Sequence, residues 1–272
     1  HRKSMKQPSY QSKHADTNGY IDYTDEENNT WKTLYQEQIK ALENSACKAF
    51  RQGVEYLQLS PDYIPQLNDV NDALLSRTGW QAAPVPALIP FNKFFSLLAN
   101  KQFPSATFIR RPNELKYLKE PDIFHELFGH CTMLTNPPFA DFTQAIGQFG
   151  ITLNSKDQQL LARLYWFTVE FGLANTPQGL RAYGGGILSS IEETDYALHS
   201  SIPQRLPLDI VTALRMPYRY DEKQLTYFIV DSLDDLYALA NPQQLIEAFT
   251  QAKQLGSLPN PHKYDNTDHR SC

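Results

Sequence analysis

Cysteine is scarce in this 272-residue chain: the three, at positions 47, 131 and 272, are too few and too far apart for a disulfide framework. They read as reduced thiols of a cytoplasmic protein. No apolar run approaches the roughly eighteen residues of a helical membrane span. Positive charge is in the minority, with 25 Lys and Arg against 30 Asp and Glu, a formal net charge of −5. That balance excludes the basic footprint nucleic-acid binding needs. The opening residues, HRKSMKQPSY, lack the apolar core of a secretory leader. Internal repeats, low-complexity linkers and abrupt shifts of composition are also missing. One domain is therefore expected over residues 30–258, with a polar arm at 1–29 and a polar tail at 259–272. The arm is expected to be extended, and ordered only where it docks on the body.

What is present is mostly helical periodicity. Trp31, Leu34, Tyr35, Leu42, Ala46, Ala49 and Phe50 recur at helical spacing across residues 30–53, with Gly53 as the stop. Residues 68–77 and 92–101 read as two shorter helices, the second preceded by a Pro-rich stretch at 84–90. Residues 106–110 read as a short strand. Ser155 with Gln158 has the pattern of a capping box opening a helix to about Ala174. The run Gly184-Gly185-Gly186 reads as a turn with strand on either side. The fold class is α+β, dominated by α-helix.

Five of the seven histidines say little: His1, His14, His262 and His269 lie in the polar ends, and His199 reads as loop. The other two share one apolar segment, PDIFHELFGH, at 121–130. Two imidazoles are costly to bury there without partners, and a metal ion partners both at once. On the residues alone, two core histidines that bind nothing but a hydrogen-bond partner are an equal alternative. A zinc hydrolase is a further alternative, because His-Glu-x-x-x-His resembles the His-Glu-x-x-His zinc signature. The spacing argues against it. On an α-helix, residues five apart are turned about 140° from each other. His125 and His130 converge only if the helix begins, ends or bulges between them, and Gly129 is where such a departure is expected. A third ligand is sought in LYWFTVEFGL, residues 164–173, where Glu170 shares a helical face with Trp166, Phe167 and Leu173. An ion pair with Arg163 is the other reading of Glu170. Two His and one carboxylate with open positions would indicate non-haem Fe(II) that activates oxygen.

At these residues the chain resembles the pterin-dependent aromatic amino-acid hydroxylases. PDIFHELFGH matches the family's two-histidine segment, YWFTVEFGL its glutamate segment and AYGGGILSS a glycine-rich active-site strand. IPQLNDVNDALLSRTGW, FPSATFIR and FADFTQAIG extend the match from about Trp31 to Pro261. The resemblance implies that residues 30–258 are a catalytic domain in which His125, His130 and Glu170 ligate iron. It implies that Arg110 pairs with the substrate carboxylate and that Ser189 orients His125. Pro121, Trp166 and Phe171 would line the substrate-ring pocket. Phe94 would stack on the pterin, and Glu126 would reach the pterin or an iron-bound water. Each has a plainer alternative: core packing for the apolar residues, surface charge for Arg110 and Glu126, a small strand residue for Ser189.

The resemblance further implies phenylalanine 4-monooxygenase activity, in which L-phenylalanine, O2 and a tetrahydropterin give L-tyrosine and a hydroxylated pterin. Tryptophan hydroxylases carry Phe-Phe where this chain has Trp166-Phe167, and Phe where it has Tyr183; tyrosine hydroxylases carry an aspartate near Tyr220. Phenylalanine is therefore expected ahead of tyrosine or tryptophan. A non-catalytic aromatic amino-acid binding protein is the alternative outside enzymes. Relative to the animal enzymes, the chain lacks a regulatory domain and a tetramerisation helix, so a compact bacterial form, monomeric or homodimeric, is expected. Leu118 stands where a threonine is usual, and the pterin loop at 84–91 diverges.

Overall fold

The computed structural model describes residues 10–86, 88–116, 120–239 and 241–263; Leu118, Cys272, His1 and His269 lie outside them. The α-helices are α1 (Asp25–Ala41), α2 (Lys48–Tyr56), α3 (Leu67–Arg77), α4 (Phe91–Ala99), α5 (Pro137–Gly150), α6 (Ser155–Tyr165), α7 (Gly185–Leu188), α8 (Ile191–His199), α9 (Ile210–Arg215), α10 (Leu233–Leu239) and α11 (Pro242–Leu255). The strands are short: β1 (Gln81–Pro84), β2 (Gln102–Ser105), β3 (Leu173–Thr176), β4 (Gly179–Ala182), β5 (Gln204–Pro207) and β6 (Thr226–Val230). β1 and β2 pair in parallel. A second sheet runs β4-β3-β6-β5, with β3 and β4 a hairpin and the other pairs parallel. This is the α-dominated α+β class, and no described helix is long and apolar enough to cross a membrane.

Several local expectations give way to tertiary pairing. The region 30–53 is two helices, because Ala182 interrupts it: Cys47 N–H donates to the Ala182 carbonyl at 2.9 Å, and Ala182 N–H to that of Ser45 at 2.7 Å. Gly53 does not stop α2, which runs to Tyr56. It is needed because a Cβ there would collide with the Thr132 carbonyl. α1 starts before residue 30, where Thr24 and Glu27 form a reciprocal capping box. The cap of α6 is Asn154, whose side chain accepts from Asp157 N–H, rather than Ser155. His199 ends α8 instead of lying in a loop. Only one flank of the glycine run is strand, since α7 follows it.

The two-histidine segment rests on an aromatic cluster. Phe124 and Phe128 stack at 4.6 Å, Trp31 of α1 meets Phe124 edge-on at 5.3 Å, and Phe50 of α2 meets Phe128 at 5.2 Å. All four are fully buried or nearly so. Such contacts anchor a backbone segment more firmly than its own propensity can.

Residues 106–110 are not a strand; side chains take the place of a ladder. The Tyr23 hydroxyl donates to the Thr107 carbonyl at 2.7 Å, and the Thr107 hydroxyl bonds the backbone of Lys13 in both directions at 2.8 Å. Tyr10 stacks on Phe108 at 4.5 Å. From Tyr10 onward the arm is thus strapped across the segment that carries Arg110. Tyr23→Phe removes a buried hydrogen bond and strands a carbonyl. It is expected to destabilise the protein by about 1–2 kcal/mol, read as a lower urea midpoint at unchanged slope; an unchanged midpoint would contradict the strap.

Candidate metal centre

His125 and His130 sit in a π-helical stretch, His125–Cys131, and Glu170 ends another, Trp166–Glu170. In a π-turn the hydrogen bond runs from i to i+5, so residues five apart come onto one side. This is the departure the histidine spacing requires, although it spans the segment rather than centring on Gly129. In the second stretch Phe171 N–H donates to the Trp166 carbonyl at 2.9 Å, so the helix expected to reach Ala174 widens after Tyr165. Thr132, just after the first stretch, and Thr168, within the second, each bond the carbonyl four residues earlier, Thr132 to Phe128 at 2.7 Å and Thr168 to Leu164 at 2.6 Å. Threonines of the regular helices make the same back-bond, Thr30 to Glu26 and Thr143 to Phe139.

Three side chains converge as a result. His130 Nε2 lies 2.7 Å from Glu170 Oε1 and 3.0 Å from His125 Nε2, and His125 Nε2 is 3.6 Å from Glu170 Oε2. His130 is 1% exposed, and Glu170 and His125 only 14% and 17%. Arg163, the other partner considered for Glu170, instead bonds the Leu214 carbonyl and Ser257. Among the described residues this is the one group of His, Cys, Asp or Glu whose ligand atoms all lie within 4.8 Å of one another.

The tautomer of His125 follows from its neighbour. Ser189 Oγ is 2.8 Å from the Gly185 carbonyl, to which only the hydroxyl can donate. The 2.7 Å contact between Ser189 Oγ and His125 Nδ1 is then donated by the imidazole. In the neutral ring Nε2 then carries the lone pair and faces Glu170 and His130, as metal ligation requires. His130 is held by packing. Its ring stacks on Phe103 at 4.7 Å, and Gly185 leaves it room: a Cβ there would lie 2.5 Å from His130 Cε1.

The three groups shift one another's titration. Burial would raise the Glu170 carboxyl, yet the two histidines hold it well below the usual carboxylate range. Burial would lower His125, but Glu170, with Glu126 and Asp122 beyond it, pushes it up to about 9. His130 stays below its usual value, because burial outweighs Glu170. Burial also pushes Glu126 up to about 8, with Glu170 and Asp122 adding to it and His125 opposing. A buried carboxylate that stays charged between two imidazoles offers three donors that one divalent ion could share. The donor set therefore fits a divalent metal.

Beside the three donors lies an ion pair that the sequence did not reveal. Asp122, fully buried, accepts from Arg110 Nε at 2.8 Å and Nη2 at 3.1 Å, from the Arg110 amide at 3.0 Å and from the His125 amide at 3.0 Å. Burial would raise its pKa, and Arg110 more than offsets that. Arg110 is buried rather than a surface charge. With Nη1 on the Leu115 carbonyl, described residues use three of its five N–H donors. The aromatic side chains gather nearby. Trp166 packs on Phe171 at 4.6 Å and on Tyr218 at 4.5 Å, and Phe94 meets Tyr165 edge-on at 4.9 Å. Pro121 directly precedes Asp122 and is half-buried. Asp122, Tyr165, Tyr218 and Gln224, which bonds Trp166, were not singled out from sequence. Only Asp122 left a signal, three residues before His125 at the cap position of an apolar segment.

A family model for biopterin-dependent aromatic amino acid hydroxylase matches residues 1–252. The chain belongs to this family. It is similar to the phenylalanine-4-hydroxylase of Pseudomonas aeruginosa, 48% identical over 252 residues that cover 93% of this chain and 95% of the relative. The structure resembles the cold-active phenylalanine hydroxylase of Colwellia psychrerythraea, with TM-score 0.91 and 45% identity over 95% of this chain and all of that one. It also resembles the Chromobacterium violaceum phenylalanine hydroxylase with bound iron(III) and 7,8-dihydrobiopterin, with TM-score 0.81 and 42% identity over 89% and 90% of the two chains.

Two substitutions test how the hydroxylase site is supported. Gly185→Ala forces the His130 ring aside and is expected to reduce retained metal to a minor fraction of one ion per chain while circular dichroism stays unchanged. Ser189→Ala releases His125 Nδ1 and should weaken metal binding about 10- to 100-fold. Full metal retention by both variants, measured after dialysis, would contradict these supports.

Proposed function

We propose that this chain is a phenylalanine 4-monooxygenase, converting L-phenylalanine to L-tyrosine with O2 and a tetrahydropterin at an iron(II) held by His125, His130 and Glu170. The observation that carries the reading is the convergence of two imidazoles and one carboxylate beside the Arg110–Asp122 pair and an aromatic wall. The iron and pterin named for the Chromobacterium violaceum structure support the same assignment. One oxygen atom ends in the tyrosine hydroxyl and the other in the hydroxylated pterin. The bound iron and pterin supply the activation of oxygen.

The protein's part is binding, orientation and exclusion of water. Arg110, held in place by Asp122, takes the substrate carboxylate through its remaining N–H donors. Trp166, Phe171 and Pro121 flank the substrate ring and hold it at reacting distance. Phe94 offers a face for the pterin, and Glu126 a carboxyl that accepts or donates a proton near neutral pH. Ser189 keeps His125 Nε2 free to ligate. Asp122 ties both tasks together, because one carboxylate grips the substrate-binding guanidinium and the amide that starts the ligand helix.

Residues 30–258 are the catalytic unit in this reading, with the arm strapped across it and 259–272 as a tail. The enzyme is cytoplasmic, a monomer or homodimer, with Cys47 and Cys131 buried and unpaired. Iron-loaded protein supplied with tetrahydropterin and O2 is expected to form product from phenylalanine faster than from tyrosine or tryptophan. Zinc-dependent hydrolysis without oxygen, or amino-acid binding without turnover, would replace this reading. Glu170→Gln should abolish pterin-coupled tyrosine formation, and full activity would sink the ligand assignment. Arg110→Lys loses a charge-assisted hydrogen bond of about 1.5–3 kcal/mol, so the KM for phenylalanine should rise roughly 10- to 150-fold; an unchanged KM would remove Arg110 from substrate binding.

A further inference from the structure

A buried amide stands behind the aromatic wall. Gln224 is 2% exposed. Its Oε1 accepts the indole Nε1–H of Trp166 at 3.0 Å. Its Nε2 donates to the carbonyls of Arg219 at 2.9 Å and Glu222 at 3.3 Å. The main-chain carbonyl of Gln224 accepts the Tyr196 hydroxyl at 2.7 Å. These partners leave one orientation for the amide, because two carbonyls need donors and the indole N–H needs an acceptor.

Tyr218, six residues earlier on the same loop, stacks on Trp166 with an interplanar angle of 15°. The loop therefore grips one ring twice, Tyr218 on its face and Gln224 at its edge. The two contacts do different things. Stacking sets the plane of a ring but tolerates sliding and rotation within it. A hydrogen bond at the edge is directional and removes that freedom. The loop is itself fastened: Arg219 pairs with Asp221 and Glu222, and Glu222 with the buried His262 beyond α11.

We infer that Gln224 is a positioning and specificity-determining residue that fixes Trp166 within its plane and so sets the size of the aromatic ring the pocket admits. The inference rests on Trp166 being a wall of the amino-acid pocket. Without Gln224 the indole N–H has lost its acceptor and turns toward another, and the wall retreats. Gln224 touches no reacting group, so its loss acts on the amino acid and leaves the pterin alone.

The test compares wild type, Gln224→Met, Trp166→Phe and the double variant as full-length, iron-loaded protein, with kcat and KM read for phenylalanine, tryptophan and tetrahydropterin. Gln224→Met is expected to raise the phenylalanine KM roughly tenfold, the worth of one buried hydrogen bond. The ratio of kcat/KM should shift toward tryptophan while the pterin KM stays unchanged. In the Trp166→Phe background the same change should leave the ratio where it is. An unmoved KM and ratio, or an equal shift in both backgrounds, overturns the inference and leaves the pocket reading intact. Amino-acid kinetics untouched by Trp166→Phe itself would remove the pocket reading and this inference together. Should Gln224→Met fail to fold, Tyr196→Phe, which releases the Gln224 carbonyl, carries the test. A smaller shift of the ratio in the same direction supports the inference, and an unchanged ratio overturns it.

Discussion

Everything at this site depends on two histidines five residues apart facing the same point. A regular α-helix forbids that arrangement, so the backbone adopts i→i+5 bonding over His125–Cys131. A widened turn is intrinsically poor and persists only where tertiary contacts over-determine it. Here Phe124 and Phe128 lock one side of the segment into an aromatic cluster with Trp31, Tyr35 and Phe50. The glycine run beneath it lets His130 lie flat against the backbone at Gly185. The second π-turn, at Trp166–Glu170, repeats the device from the opposite wall. Two widened turns thus meet across the site, each carrying part of the donor set.

Asp122 converts this local geometry into a functional unit. Its carboxylate is saturated by four donors, two from the Arg110 guanidinium and two from backbone amides. Removing a partner from so deeply buried a pair leaves an uncompensated charge, which typically costs about 3–5 kcal/mol. The rivet therefore serves stability and alignment at once. The arm completes it from outside, because Tyr23 and Lys13 hold the strand-like segment that delivers Arg110. The segment that carries Arg110 and the one that carries His125 are thus joined by a handful of buried polar contacts rather than by a rigid sheet.

How much of this could be read beforehand varies with the range of the interaction. The helix at Leu67–Arg77 and the convergence problem of His125 and His130 were legible, since each follows from periodicity or spacing over a few residues. Glu170 was legible as a candidate third ligand but not as the only reading, because nothing local distinguishes it from a partner of Arg163. The split between α1 and α2 was hidden, since Ala182 imposes it from far along the chain. Residues 106–110 looked like a short strand, yet their partners are the Tyr23 hydroxyl, the Asp122 carboxylate and a lone amide at Ile123 rather than a neighbouring ladder. Gln224 and Tyr218 were invisible for the same reason: a Gln and a Tyr in a polar loop acquire meaning only where Trp166 meets them. The family resemblance supplied the iron and pterin that spacing alone could not choose.

The central claim is that the two π-turns deliver His125, His130 and Glu170 to a single iron. Iron K-edge X-ray absorption on the iron-loaded protein tests it most directly, compared between wild type and a His130→Ala variant loaded to the same iron content. The account expects scattering from two imidazoles in the wild type and from one in the variant. A spectrum without imidazole scattering, or one that His130→Ala leaves unchanged, would contradict it.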